Sequence, residues 1–331
     1  MTMDNFLQIL LKLGIDLWKE FVYILPYLAV GVLIEAIIRT FKWHVKIRKV
    51  LVRLGPWAIP VAVLLGIASP LCACAILPLV ISLLLAGVPL APAVALLVTA
   101  PIMSPSSYAM ITGMLGIDWA NIILVSAIFL GLFAGYVTLF FRPYGFTEVE
   151  IFREKLPVGD FHDPDYPVES LRCECGQQLS HRVDRCTHNK FLVFGARFWE
   201  GSLKIGKFAL IGLVVEVVAL SFIPVEWMTS LLSNGGILET LLLMGATIPM
   251  HLPQVTAASM LYGFYLPDPG QTIALAKGPG IALLIGGPVT ALPVMAVFYS
   301  MFHKRVLALY LGLCVSGTIF LALFWSFISA T

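Results

Sequence analysis

Two thiols one residue apart, Cys72 and Cys74, lie within Ser69-Pro70-Leu71-Cys72-Ala73-Cys74-Ala75-Ile76-Leu77-Pro78, in a stretch otherwise apolar enough for a membrane interior. In an intact helix the two side chains would point about 200° apart and could not share a ligand. Across a proline-broken turn both can face one cavity. Thiolates select soft ions such as Cu(I), Zn(II) and trivalent arsenic, and sulfur tolerates an apolar pocket better than a carboxylate does. A lone cysteine would read as a small buried hydrophobe; Cys-x-Cys at a helix break reads as a ligand pair. A second interruption follows at Ile248-Pro249-Met250-His251-Leu252-Pro253. Its imidazole, His251, and thioether, Met250, suit the same soft cation. In a bilayer, backbone freed from helical hydrogen bonds is tolerated only where it is buried in protein or lines a watery cavity, and such places commonly hold ions or substrates. The two breaks therefore read as the two halves of one transport site. Cys314 and the remaining methionines read as packing.

A separate constellation occupies a polar stretch: Cys173-Glu174-Cys175, ten residues, then Cys186-Thr187-His188, with His181 between and His162 upstream. Three thiols and an imidazole make a four-ligand set for Zn(II) or Cu(I), and Gly176 permits the turn after the first pair. The spacing is C-x-C rather than the commoner C-x2-C, so it points to a metal without choosing which. A disordered linker with incidental cysteines is the bland alternative. With few apolar residues, the insert is expected to fold only as metal binds. No prosthetic group is expected elsewhere.

Glu35 and Glu216 are acids within apolar helices, where insertion costs roughly 2.5 to 3.5 kcal/mol at a helix centre. Arg39, four residues after Glu35, offers it a simple salt bridge. Glu216 has no such neighbour and is the better candidate for proton coupling or cation attraction. Lys277, ahead of Gly278-Pro279-Gly280, is either a pathway residue or a side chain that snorkels to the surface. Ser69, Thr99 and Ser104 stand among further prolines, and their hydroxyls could ligate a substrate or satisfy freed backbone; the second role is the simpler.

The elements that must position these groups follow from composition. Of 331 residues, 59% are hydrophobic and 12% charged, and mean hydropathy is +0.93, far above a soluble domain. The chain reads as an all-α polytopic membrane protein. Eight apolar segments fall near 21–38, 57–86, 88–115, 121–141, 208–224, 237–266, 280–302 and 306–328, each approaching the roughly 20 residues needed to span. They group as a first membrane repeat, 1–141, a polar insert, 142–198, and a second membrane repeat, 199–331. No cleavable signal peptide is expected, because Met1 to Glu20 carries Asp4, Asp16 and Glu20. Prolines at 70, 78, 89, 92, 101 and 105 should break segments two and three. The basic amphipathic stretch 42–53 should lie on the cytoplasmic surface, Asp118 should face outward, and the insert and His303-Lys304-Arg305 should face the cytoplasm.

A shift of 181 residues superposes Trp18 on Trp199, Gly31 on Gly212 and Glu35 on Glu216; a shift of 179 superposes Gly66 on Gly245, Pro70 on Pro249 and Cys72 on His251. Equivalent loops carry opposite charge character, as an inverted duplication requires. Inversion needs an odd number of crossings per repeat, so one segment in each must enter and return; the proline-broken 57–86 and 237–266 are the candidates. Eight plain crossings with parallel repeats is the alternative. Nothing resembles a hydrolase triad, a dinucleotide fingerprint or a phosphate loop, so neither an enzyme nor nucleic-acid binding is expected.

At Gly66-Ile67-Ala68-Ser69-Pro70-Leu71-Cys72-Ala73-Cys74-Ala75-Ile76-Leu77-Pro78, with Ala86-Gly87-Val88-Pro89-Leu90 and Thr99-Ala100-Pro101-Ile102-Met103-Ser104-Pro105, the chain resembles the predicted-permease family that includes the organoarsenical efflux permeases. The family's cysteine motif commonly reads P-x-C-S-C; here Ala73 takes the middle position. Gly245 to Pro253 and Lys277 to Pro279 resemble its second-half counterpart. The Cys/His insert is similar to that of a branch regarded as copper and zinc efflux transporters. The resemblance implies efflux by a multi-pass permease of the bacterial inner membrane, with a soft metal ion or an arsenical as cargo and a homo-oligomer or a metallochaperone as partner. A metal sensor or non-transporting subunit is the competing class.

Overall fold

Membrane-depth backbone must find its hydrogen bonds within its own segment, so long apolar stretches of this chain are expected to be helical. The computed structural model describes residues 14–15, 18, 22, 33, 43–69, 76, 79–80, 83–84, 88–141, 192, 194–196, 198–199, 202–203, 214, 237–250, 254, 257–258, 261–262, 277–290, 295, 299 and 302–330. Among them the elements are helices: α1 (Trp43–Leu54), α2 (Ala58–Ala68), α3 (Leu90–Ile102), α4 (Pro105–Leu115), α5 (Ile117–Phe141), α6 (Ile237–Met250), α7 (Lys277–Val289) and α8 (Lys304–Ala330). No strand occurs among the described residues, and the protein is an all-α membrane protein. Four described stretches are long and apolar enough to cross a bilayer: Lys49–Ala68, Leu90–Leu115, Ile117–Phe141 and Lys304–Ile328. They fall on the start of segment 57–86 and on segments 88–115, 121–141 and 306–328. Segments 21–38 and 208–224 lie largely outside the described residues.

Two of the expected proline breaks are absent, and one is displaced. Pro92 sits in the first turn of α3, where its missing N–H would have had no helical acceptor anyway. Pro101 is accommodated in the last turn of the same helix. The interruption instead falls at Met103 and Ser104, both extended, before Pro105 opens α4. Residue 104 precedes a proline and is therefore steered out of the helical region. The expected break at Pro70 is matched on its near side: α2 ends at Ala68, and Ser69 is extended with φ −79° and ψ 128°. The apolar stretch beginning at Lys49 runs back into the basic 42–53 region, but Gly55, at φ +54°, and a 3-10 turn over Gly55–Trp57 divide α1 from α2. In the second half α6 continues through Pro249 to Met250.

Glycine contacts fix how the helices run. A Cβ on Gly135 would meet Ile59 and Ala95, one on Gly131 would meet Val63 and Thr99, and one on Gly66 would meet Thr99 and Ala100. Ile59, Val63 and Gly66 thus climb α2 alongside Ala95, Thr99 and Ala100 of α3, so these two helices run the same way, both antiparallel to α5. Tyr108 Oη donates to Asn121 Oδ1 at 2.9 Å, which places α4 beyond α3 along the same side of α5. The pair α3–α4 is therefore one discontinuous span, with its break opposite the middle of α5. The end of α2 at Ser69 lies level with Thr99, near that break, whereas α3 begins back at the end from which α2 set out.

α8 lies antiparallel to α5. Phe129 stacks on Phe320 with centroids 5.7 Å apart, Gly317 abuts Leu130, and Trp325 Nε1 donates to Ser126 Oγ at 3.1 Å. α7 is antiparallel to α8 in turn: Tyr310 Oη donates to the Val289 carbonyl at 3.1 Å, and Gly278 lies against Ala322 and Ser326. These helices share one apolar core drawn from both halves. Outward-facing Leu64, Leu65, Phe140, Phe320, Phe324 and Phe327 are exposed, as a lipid-facing surface allows. Lys304 and Arg305 open α8 at the end where α5 stops and the insert begins; Asp118 is at the opposite end.

Gly131 has room for no side chain against Thr99 and Val63. Gly131→Val should therefore lower stability by about 1–3 kcal/mol through overpacking, read as a lower midpoint in thermal unfolding of the detergent-solubilised protein, whereas Gly113→Ala, inside helix α4 where nothing lies within 4 Å, should hold or raise it.

Candidate functional site

The described part of the site is the break in α3–α4 and what packs on it. The last backbone bond of α3 runs from Met103 N–H to the Thr99 carbonyl at 3.0 Å. One turn on, Ser104 caps α4: its Oγ accepts from Ser107 N–H at 3.2 Å and lies 3.0 and 2.9 Å from the hydroxyls of Ser106 and Ser107. Its carbonyl accepts from Tyr108 N–H at 2.9 Å. Ser104 is buried at 7% exposure, and the donors that α4 frees at its first turn are thereby partly met within the serine cluster. Pro105 has no N–H at all, so the Pro101 carbonyl loses the partner an uninterrupted helix would give it.

Thr99 is used for packing. Its Oγ1 donates to the Ala95 carbonyl at 2.8 Å, and the side chain is wedged between Gly66 of α2 and Gly131 of α5. The carbonyl it reaches lies inside intact helix, so this is an ordinary back-bond to the preceding turn, whereas Ser104 acts as a cap. Ser69, partly exposed, follows α2, with its N–H on the Gly66 carbonyl at 3.2 Å. Thr99 and Ser104 flank the break, and Ser69 follows the helix whose last turn packs on Thr99. Lys277 opens α7, partly exposed, on a helix whose next twelve residues are buried; Gly278 beside it abuts the far end of α8 rather than the serine cluster. Met250 closes α6, with its backbone described.

Cys72, Cys74, His251, Glu35 and Glu216 lie outside the described residues, as do Cys173, Cys175, His181, Cys186 and His188 of the insert. Among the described residues no three His, Cys, Asp or Glu side chains converge. Cys314 is buried within α8, in keeping with packing.

One residue at the junction is not evident from motif reading. Gln254, one place after Pro253, reaches from the second half into the first and donates its Nε2 to the Ile102 carbonyl at the end of α3. It is 6% exposed, and its Oε1 has no partner among the described residues. An amide next to His251-Leu252-Pro253 in an otherwise apolar run was the available signal. The residue that follows Pro253 is thus hydrogen-bonded to the end of α3, just before the break at Met103 and Ser104.

A predicted-permease family, ArsP_1, matches residues 17–327. The chain belongs to this permease family. The match covers nearly the whole chain, both halves and the insert between them, and makes the protein a membrane transporter of a family of permeases rather than of enzymes. A curated relative, the UPF0718 protein YcgR of Bacillus subtilis (strain 168), is 22% identical over 281 residues, covering 85% of each chain. No solved structure matches.

Removing the cap should be felt locally. Ser104→Ala is expected to cost about 1 kcal/mol, seen as a lower thermal midpoint and faster amide hydrogen exchange over residues 105–108, while Ser104→Asp, which keeps an acceptor for Ser107 N–H, should recover the exchange protection.

Proposed function

We propose that this permease is a secondary transporter of the bacterial inner membrane that exports a soft metal ion, Cu(I) or Zn(II). The observation that carries this reading is the stop of α2 at Ser69, level with the mid-span break of α3–α4 and three residues ahead of Cys72. Two thiols following a helix end at that depth have the donor chemistry for a soft cation, and Met250 and His251, on the segment that Gln254 ties to the same break, supply a thioether and an imidazole. The Cys173, Cys175, Cys186 and His188 set, with His181, would capture or sense the ion on the cytoplasmic side. Glu216 would couple its movement to protons, with Glu35 in a supporting role.

The antiparallel pairing of α5 with α8, the last helices of the two halves, supports an inverted rather than a parallel repeat. An axis in the membrane plane reverses equivalent helices; an axis along the normal does not. The parallel course of α2 and α3 supports 57–86 as a segment that enters and returns. Clustering of Arg53, Lys304 and Arg305 at the end of the bundle where the insert begins supports a cytoplasmic insert. Rocking of one repeat against the other would then expose the break alternately to each side.

A trivalent organoarsenical is the second cargo, favoured by the closeness of the two thiols, since Cys72 and Cys74 alone would suffice for it. A metal sensor or a non-transporting subunit would use the insert without flux, which the permease family membership disfavours.

Binding to the purified chain separates these readings. Cu(I), Zn(II) and phenylarsenite should be competed on wild type, on Cys72→Ser/Cys74→Ser, and on a variant lacking 160–190. The exporter reading expects two separable metal sites, one lost with each variant; arsenical binding alone, through Cys72 and Cys74 alone, replaces the cargo. Glu216→Gln should fold and bind metal but lose pH-driven flux in proteoliposomes, and an unchanged rate removes Glu216 from the mechanism.

A further inference from the structure

Gln254 Oε1 is a buried acceptor at the level where helix α3 ends, beside a helix end whose last carbonyls lack helical donors. The amide is oriented by its other end: Nε2 donates to the Ile102 carbonyl, so Oε1 is turned away from that bond and has no partner among the described residues. The Pro101 carbonyl one residue earlier has no helical donor, because residue 105 is proline. Two donors on the opposite side of the break are occupied: Ser107 N–H is bound by Ser104 Oγ, and Tyr108 N–H by the Ser104 carbonyl. A buried amide oxygen is costly to leave unpaired, so a donor or a cation belongs there. The two acceptors, a side-chain amide oxygen and a main-chain carbonyl, are hard neutral oxygens, the donor type of a hard cation. No carboxylate is among them, so a single positive charge is matched better than a double one. The carboxyl end of a half-helix supplies the negative end of a dipole toward it.

We propose that the α3–α4 break, closed by Gln254, is a Na+ site, with Gln254 Oε1 and the Pro101 carbonyl as ligands, and that Na+ is a coupling ion. Freed carbonyls and half-helix carboxyl ends are the groups that hold Na+ where membrane helices are interrupted. Because Gln254 belongs to the second half and Pro101 to the first, Na+ would bind only while the halves are apposed, which is the property a coupling site requires. The proposal goes beyond the cargo reading and uses none of the cysteines.

The test uses the full chain in detergent, its thermal midpoint followed as NaCl replaces choline chloride at constant ionic strength, with KCl as a size control. Wild type should show a saturable upward shift with Na+, smaller with K+. Gln254→Met, close in volume but without the amide oxygen, should lose the shift, and Gln254→Glu should show it at lower Na+. Equal midpoints in all three salts with wild type, as a bound water at Oε1 would give, overturn the site, as does a shift that survives Gln254→Met. Should Gln254→Met not fold, an unchanged Na+ midpoint in Gln254→Glu overturns it equally. Cu(I) flux in proteoliposomes that persists without Na+ on either side ends the coupling role while leaving the exporter intact; a Na+ shift in a chain that moves no metal does the reverse.

Discussion

The bilayer cannot hydrogen-bond a backbone, and most of what is distinctive here follows from where this chain breaks its helices regardless. Each break frees carbonyls and N–H groups that must be satisfied by protein, by water or by cargo. At Met103–Ser104 part of the debt is met by a serine cap, and part by an amide from the other half of the molecule, Gln254 on the Ile102 carbonyl. That bond makes the position of one half depend on the other. Helix α2 halts at Ser69 near the same depth, three residues ahead of Cys72 in the sequence. The packing that holds this geometry is made by absent side chains: Gly66, Gly131 and Gly135 let α2, α3 and α5 approach until Thr99 and Ile59 fill the space between them.

Membership of a permease family fits this arrangement physically. A transporter needs a site accessible in turn from either face, and a discontinuous span whose break is bridged between two halves provides a point that closes or opens with their relative movement. The lipid-facing stack of Phe129, Phe320 and Phe324 and the buried Trp325–Ser126 bond tie α5 to α8 along one seam. The Gln254 contact is a single amide–carbonyl bond, weak enough to exchange. A strong seam and a weak bridge are compatible with rocking about the first and gating at the second.

The helical membrane character was legible from composition, and three of the described spans fall where apolar runs placed them. Proline counting was less informative than proline position. Pro92 and Pro101 read as breakers but lie in terminal turns of α3: Pro92 in the first, where an N–H has no helical acceptor, and Pro101 in the last, where one bond is given up just before the helix ends, while Pro105 acts through the residue before it. Of the hydroxyls expected to satisfy freed backbone, Ser104 meets a freed N–H, that of Ser107, whereas Thr99 bonds a carbonyl inside intact helix. Gln254 was not legible, since nothing in one sequence tells an amide that bridges two halves from one that caps its own helix; only the fold brings residues 102 and 254 together. The antiparallel course of α5 and α8 agrees with the alternation of loop charge from which an inverted duplication was expected. The cysteine pair, the histidine of the second break and the insert lie outside the described residues, so their roles rest on donor chemistry and spacing.

The central claim is that this chain alone moves a soft metal through the broken spans. The most direct measurement is Cu(I) uptake into inside-out proteoliposomes containing only the purified protein, compared with the Cys72→Ser/Cys74→Ser variant at equal incorporation. The account predicts saturable uptake by wild type that falls to the level of empty vesicles in the variant. Equal uptake by the two proteins, or none by either under a proton or sodium gradient, would contradict it.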